Sequence, residues 1–335
     1  MDYRRQTKSF LIGSIIAAAG FTTIIVLAAD VSALRALRWL PVDRQAHALA
    51  YQPRECLLNN SDEKTSRSEA IGRAAFRTPL LLGGQAARAG LSCSSCHLNG
   101  RGNPDFLFAG LSGAPGTADV TSSLMSSHRG DGLVNPTIIP DLSGPEHLRK
   151  ISRDTDSQAL EKFIHGLIVE EFDGPEPSKM TIDGLATYVR MLSPTACKSP
   201  AEQKISLANY LSDARGAMQA AQFALDANDT ATARLMLASA RSALGMINER
   251  YPSNELGNDR RLLHDADLEL AAIQNAIDLE ADDISLRILT WQTKMPRWSK
   301  ALEHDEALSL FNTQNLTTNR KPGPRSTDAG QTQAK

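Results

Sequence analysis

The chain has 335 residues, of which 41% are hydrophobic and 22% are charged, and its formal net charge at pH 7 is -2. This composition supports a buried core and excludes a disordered chain, and the small net charge gives no reason to expect nucleic acid as a partner. The four cysteines are too few for a fold built on disulfide bonds. We therefore expect a globular protein of two or three domains.

The N-terminal segment predicts export. Three basic residues, Arg4, Arg5 and Lys8, precede an uncharged run over residues 10–29. About 20 helical residues span roughly 30 Å, the thickness of the hydrocarbon core of a bilayer. A cleaved signal peptide usually has a shorter apolar core, so residues 1–30 are predicted to be a membrane anchor, with a cleaved signal segment as the alternative. We expect a single-pass protein of the bacterial inner membrane, with the bulk of the chain in the periplasm.

The sequence CSSCH at residues 93–97 carries the strongest chemical signal. A zinc site would need a second pair of ligands at finger-like spacing, and a redox-active cysteine pair normally opens a helix in a thioredoxin-like pattern. The sequence contains neither pattern around or after the motif. Cys-x-x-Cys-His is the attachment signature of a c-type haem. Cys93 and Cys96 are therefore predicted to bind one haem c covalently, and His97 to be the axial ligand of its iron.

The residues around this motif predict a mainly α-helical domain. After a connecting segment (31–66), Ser66 and Glu69 form a candidate capping box at the start of a helix. A long stretch rich in Gly and Pro follows the motif, and its apolar side chains are predicted to cover the haem. Two amphipathic helices come next, at about 157–171 and 183–192.

This order of elements resembles class I cytochrome c, in which the first and last helices cross beside the haem. The residues that carry the resemblance are Cys93–His97 and the last helix, where Tyr188 and Leu192 fit a Tyr-x-x-x-Leu pattern. With its long insert after the motif, the chain is most similar to the haem domains of bacterial di-haem cytochrome c peroxidases and their relatives. The resemblance implies a haem domain over residues 67–197. Those peroxidases carry two Cys-x-x-Cys-His motifs, whereas this chain has one.

The same resemblance implies a sixth iron ligand, which in electron-transfer members is a methionine from the loop before the last helix. Met180 stands in that loop of the predicted structure and is the first candidate. Met125 is the alternative, and His128 and His165 are further candidates. A bound Met or His blocks peroxide, whereas an empty position admits it, so this ligand separates an electron carrier from an enzyme.

The second half of the chain predicts an all-α helical hairpin or bundle over residues 201–311. Its helices are expected at about 201–227, 230–250, 258–281 and 284–311, with a kink at Pro296, and residues 312–335 are expected to be disordered. Cys56 and Cys197 flank the predicted haem domain. Because an exported chain seldom leaves two free thiols, these two cysteines are predicted to form a disulfide.

Together these features predict an exported, membrane-anchored c-type cytochrome with one covalent haem that transfers single electrons to or from membrane-associated redox partner proteins. No catalytic residue is predicted. The first alternative is a peroxidase-like haem enzyme with an open or labile distal site. The second is a haem-based sensor or assembly factor whose output is the helical domain.

Overall fold

The computed structural model describes residues 34–59, 62–148 and 150–318. The predicted membrane anchor, residues 1–30, lies outside the described residues. Within the described ranges, no helix is both long enough and apolar enough to cross a membrane. The described part is mainly α-helical, as the sequence predicts.

The secondary structure consists of helices and a few very short strands, connected by loops. The α-helices are α1 (Gln45–Ala48), α2 (Glu63–Phe76), α3 (Gly84–Ala89), α4 (Cys93–Cys96), α5 (Ala159–Gly166), α6 (Lys179–Met191), α7 (Leu207–Asp226), α8 (Thr230–Asn248), α9 (Gly257–Asp278), α10 (Ile284–Asp305) and α11 (Thr313–Thr318). The strands are β1 (Tyr51–Pro53), β2 (Thr117–Ala118), β3 (Thr137–Ile138) and β4 (Glu202–Lys204). Strand β1 pairs with β4, and β2 pairs with β3, in both cases antiparallel.

Helices α2 and α6 cross at very close range. A Cβ atom added to Gly72 of α2 would lie 1.9 Å from the carbonyl oxygen of Gly184 in α6. Only two glycines facing each other allow the backbones to approach in this way. The crossing brings the first helix of the predicted haem domain against its last helix.

A disulfide and a pair of short strands join the two ends of the predicted haem domain. Cys56 and Cys197 are joined by a disulfide, as the sequence predicts, with Cα atoms 4.4 Å apart. Strands β1 and β4 pair close to the disulfide. The segment before the predicted haem domain is therefore hydrogen-bonded to the segment after it. The expected helix over 201–227 is therefore wrong at its start. Ser206 caps α7 instead, because its side chain and that of Asn209 form a reciprocal capping box.

The predicted haem domain and the predicted helical domain share one continuous core. Helix α2 packs against α7 and α8, and buried residues of all three helices belong to the same apolar cluster. Helix α10 continues through Pro296. Residues 312–318, expected to be disordered, include helix α11, and Leu316 on that helix is 3% exposed. The rest of the predicted tail lies outside the described residues.

Replacing both Cys56 and Cys197 with alanine should lower the free energy of unfolding by about 2–4 kcal/mol, because the disulfide restricts a long loop of the unfolded chain. The loop spans a sequence separation of 141 residues. Urea denaturation of the wild type and the variant measures this loss. Dithiothreitol should produce the same loss in the wild type and no further loss in the variant. Equal stability of the two proteins without reductant would contradict the prediction.

Candidate functional site

The CSSCH motif forms a single helical turn with fixed ends. Helix α4 (Cys93–Cys96) begins at Ser92, which forms a capping box with Ser95. Asn103 holds the other end: its backbone N–H donates to the carbonyl of Cys96 at 3.0 Å, and its side-chain amide donates to the carbonyl of Ser95 at 2.8 Å. Because residues three apart lie on one side of a helix, the two thiols lie on the same side of this turn, and His97 follows directly at its end.

Both cysteines of the turn are free thiols. Burial raises the pKa of Cys93 and of Cys96 to about 12. Reactive and redox-active cysteines have the opposite property, a lowered pKa that favours the thiolate. Cys93 and Cys96 are therefore protonated, weakly nucleophilic thiols, which does not favour a disulfide oxidoreductase.

The imidazole of His97 is oriented by one backbone contact. Its Nδ1 lies 3.0 Å from the carbonyl oxygen of Pro140, and since a carbonyl only accepts, Nδ1 carries the proton. Burial lowers the pKa of His97 to about 4, against the opposing effect of the Pro140 bond, so the ring is neutral at pH 7. Nε2 is then a free lone-pair donor. A histidine held through its other nitrogen by a backbone carbonyl is typical of metal-bound imidazole.

These three side chains are half-buried in largely apolar surroundings. Cys93, Cys96 and His97 are surrounded by protein, yet each keeps part of its surface accessible. The surroundings are apolar: both cysteines contact the main apolar cluster, and the ring of Phe76 lies 6.5 Å from that of His97. Two thiols, one free imidazole nitrogen and an apolar environment fit a covalently bound haem c.

The two candidate methionines occupy different environments. Ser178 caps α6, so Met180 lies in the first turn of that helix and is half-buried; the expectation that it stands in the loop before the helix is wrong. The hydroxyls of Ser178 and Thr181 both contact Thr232 of α8, at 2.6 and 2.9 Å, so this turn docks on the predicted helical domain. Met125 lies in a loop and is 1% exposed.

The loop around Met125 is held on both sides. The hydroxyl of Ser122 donates to the carbonyl of Gly110 at 3.1 Å. The hydroxyl of Ser126 donates to the carbonyl of Glu170 at 2.5 Å. These bonds hold the loop on both sides of Met125.

The two candidate histidines each face a carboxylate. His128 is exposed and lies 3.8 Å from Asp173, and His165 is half-buried and lies 2.9 Å from Glu176. Across residues 34–59, 62–148 and 150–318, no three or more His, Cys, Asp and Glu side chains stand together in a way that could hold a metal ion. A haem iron needs only one such protein ligand on its proximal side, whereas a zinc site needs a full set.

A buried cluster of charged side chains, which the sequence does not predict, lies next to Phe76. Glu55 accepts from Arg73 at 2.9 Å, from Arg77 at 2.8 Å and from the hydroxyl of Tyr188 at 2.7 Å. Burial alone would raise the pKa of Glu55, but Arg77, Arg73 and the Tyr188 bond outweigh it and lower the pKa to about 2. The ring of Phe76 lies 5.0 Å from that of Tyr188 and so separates the cluster from His97.

The cluster also fixes the chain just after the motif. Arg77 donates to the side-chain oxygen of Asn99 at 3.0 Å, and the amide of Asn99 donates to the carbonyl of Pro53 at 2.9 Å. Asn99 has a left-handed backbone with φ of 55°, which asparagine tolerates better than most residues. Glu55, Arg77 and Asn99 thus connect the residue next to the disulfide with the end of the CSSCH turn.

Glu55→Gln should lower the free energy of unfolding by about 3–5 kcal/mol, because it removes one of the two carboxylates that pair with the buried guanidiniums of Arg73 and Arg77 and leaves only Asp213. The pKa of Glu55 falls from an ordinary 4.5 to about 2 on folding, so the ionised group stabilises the fold above pH 4.5 and loses this effect as the pH falls towards 2. The difference between wild type and variant in urea denaturation should shrink over that range. Glu63→Gln removes an exposed partner of Arg67 and should cost less than about 0.5 kcal/mol. Equal losses in the two variants would contradict the assignment.

No protein-family model matches the chain, and no curated protein or solved structure matches it.

Proposed function

We propose that this protein is an exported, membrane-anchored c-type cytochrome that holds one covalent haem and transfers single electrons. The observation that carries the proposal is the pair of free thiols next to a neutral histidine whose Nδ1 is engaged by Pro140 and whose Nε2 is free. A haem bound at this turn supplies a one-electron ferric–ferrous couple.

The residues of the turn have distinct roles in this proposal. Cys93 and Cys96 would hold a haem through thioether bonds, and Nε2 of His97 would bind its iron. Pro140 prevents the imidazole from rotating and raises its basicity as a ligand. Ser92 and Asn103 keep the turn in one conformation. A site fixed in this way changes little between oxidation states, which suits electron transfer.

Met125 is our proposed sixth ligand, in preference to Met180. Its side chain is fully buried, and its loop is fixed by Ser122 and Ser126. Met180 is half-buried, in a helical turn whose neighbouring hydroxyls dock on α8. A loop held on both sides would keep the thioether of Met125 in one position as a ligand.

Spectra of the ferric and ferrous protein test this ligand. Met125→Ala should convert a low-spin ferric wild type into a high-spin form that binds cyanide readily, because the sixth position is then open. Met180→Ala is the matched control and should stay low-spin. If Met180→Ala becomes high-spin and Met125→Ala does not, the assignment is wrong. A high-spin wild type that consumes peroxide would favour the peroxidase-like alternative instead.

The proposed partners are redox proteins associated with the same membrane. A net charge of -2 provides no strong long-range field to attract a soluble partner of opposite charge. An anchor formed by residues 1–30 would confine encounters to the plane of the membrane. Removing this segment should therefore slow reduction by membrane preparations much more than reduction by a small soluble reductant.

A further inference from the structure

Helix α10 exposes one continuous side to solvent. Its other side is buried against α7 and α9. The exposed side includes two large apolar side chains, Leu286 and Leu289, which are 64% and 58% exposed. At spacings of three and four residues, the exposed side chains follow one line along the helix, and we call them the α10 stripe: Leu286, Leu289, Thr290, Thr293, Arg297 and Lys300.

The α10 stripe lies in a part of the chain whose charges are all positive. No Asp or Glu occurs between residues 284 and 302, whereas four basic residues do: Arg287, Lys294, Arg297 and Lys300. Arg287 and Lys294 already have carboxylate partners, at 2.8 and 2.9 Å. Arg297 and Lys300 are exposed, and within the part of the chain that the structure describes neither forms an ion pair. Two exposed leucines and two unpaired cations therefore share one side of the helix.

The chain enters the described structure beside the end of this helix. Leu34 is 3% exposed and packs with Leu310 and Leu316 in a small apolar cluster. Leu310 follows the end of α10 by five residues. Residue 30, the end of the predicted anchor, precedes Leu34 by four residues, so it lies within about 14 Å of Leu34. An anchor over residues 1–30 would therefore hold a bilayer close to the end of α10 that carries Arg297 and Lys300.

We propose that the α10 stripe rests on a membrane surface of anionic lipid. Leu286 and Leu289 would enter the headgroup region, and Arg297 and Lys300 would pair with lipid phosphates. Helices that lie in the membrane interface combine apolar side chains with basic residues in this way, and they bind anionic lipid more tightly than neutral lipid. The contact would hold the CSSCH turn in one orientation above the membrane. This inference rests on the proposed function only for the anchor that keeps the membrane near.

Photocrosslinking of the full-length protein in vesicles tests the proposal. On irradiation, p-benzoylphenylalanine in place of Leu289 forms a bond to a neighbouring C–H group, and mass spectrometry identifies the adduct. We expect a lipid adduct in vesicles of phosphatidylcholine with phosphatidylglycerol, and at least about fivefold less in phosphatidylcholine alone, because anionic lipid attracts basic side chains. The same probe in place of Phe163, which is 44% exposed on α5, should give little lipid adduct in either vesicle.

Two charge variants separate the α10 stripe from the net charge of the protein. Arg297→Gln with Lys300→Gln should lower the yield of the lipid adduct at position 289 at least about fivefold in the anionic vesicles. Lys64→Gln with Lys162→Gln removes the same charge from exposed positions of the predicted haem domain and should leave the yield unchanged. Circular dichroism verifies that both variants are folded.

An alkaline carbonate wash of the vesicles reports on the anchor separately. A protein that resists the wash but gives no lipid adduct at position 289 would overturn the contact and leave the anchor intact. A protein that the wash removes, but that crosslinks to anionic lipid when mixed with the vesicles, would support the contact without the anchor. The proposal would also be overturned by an adduct between two protein chains in place of the lipid adduct, by equal yields at Leu289 and Phe163, or by equal yields from the two charge variants.

Discussion

Replacing Cys93 and Cys96 together with serine is expected to abolish covalent haem attachment. The two thiols are free, lie one helical turn apart and project beside His97, and serine cannot form a thioether. A haem-peroxidase stain after denaturing electrophoresis should give a band for the wild type and none for the variant. Intact mass should show one haem per wild-type chain and none per variant chain.

The other two cysteines provide the matched control. Cys56→Ser with Cys197→Ser removes the same number of sulfurs but only the disulfide. This variant should keep its haem stain even though its stability falls. A stained band for the Cys93 and Cys96 variant, or an unstained wild type produced in a host that attaches haem c, would contradict the assignment of the turn.

Gly72→Ala is expected to destabilise the fold strongly. The added methyl would lie 1.9 Å from the carbonyl oxygen of Gly184, a backbone atom that cannot move without separating α2 from α6. We expect a loss of at least about 3 kcal/mol in the free energy of unfolding, the upper end of the usual cost of overpacking. Urea denaturation measures it.

Gly216→Ala is the control for this substitution. Gly216 lies within α7, and no atom lies within 4 Å of a Cβ added there. Alanine is the better helix former, so this change should stabilise the protein by up to about 1 kcal/mol. If both substitutions change the free energy of unfolding equally, the close crossing of α2 and α6 is not the reason why position 72 requires glycine.

The sequence predicts most helices but misplaces several of their ends. Asp62 caps α2 by accepting from the backbone N–H of Thr65 at 2.8 Å, so the helix begins before the candidate capping box at Ser66. Asp62 and Ser66 are both residue types suited to capping, and in the structure Asp62 is the one that caps the helix. Likewise, residues 202–204 form β4 because β1 is available as a partner, which is a contact that local periodicity does not contain.

The candidate site likewise combines residues that local sequence predicts with residues that only the fold brings together. Cys93, Cys96 and His97 are adjacent in the sequence, and a short motif identifies them. Pro140 and Glu55 act on the site from far along the chain, so only the fold brings them near it. The position of Met180 in a helix depends on one capping serine, Ser178, which the apolar pattern did not reveal.

The central claim is that the chain carries one haem and exchanges one electron, and spectroelectrochemical titration of the purified full-length protein tests it most directly. We expect the haem absorption bands to follow a single one-electron Nernst curve, with low-spin spectra at both ends and one electron per chain. A protein without a haem spectrum would contradict the account. A ferric high-spin species that turns over peroxide instead of cycling reversibly would contradict it as well.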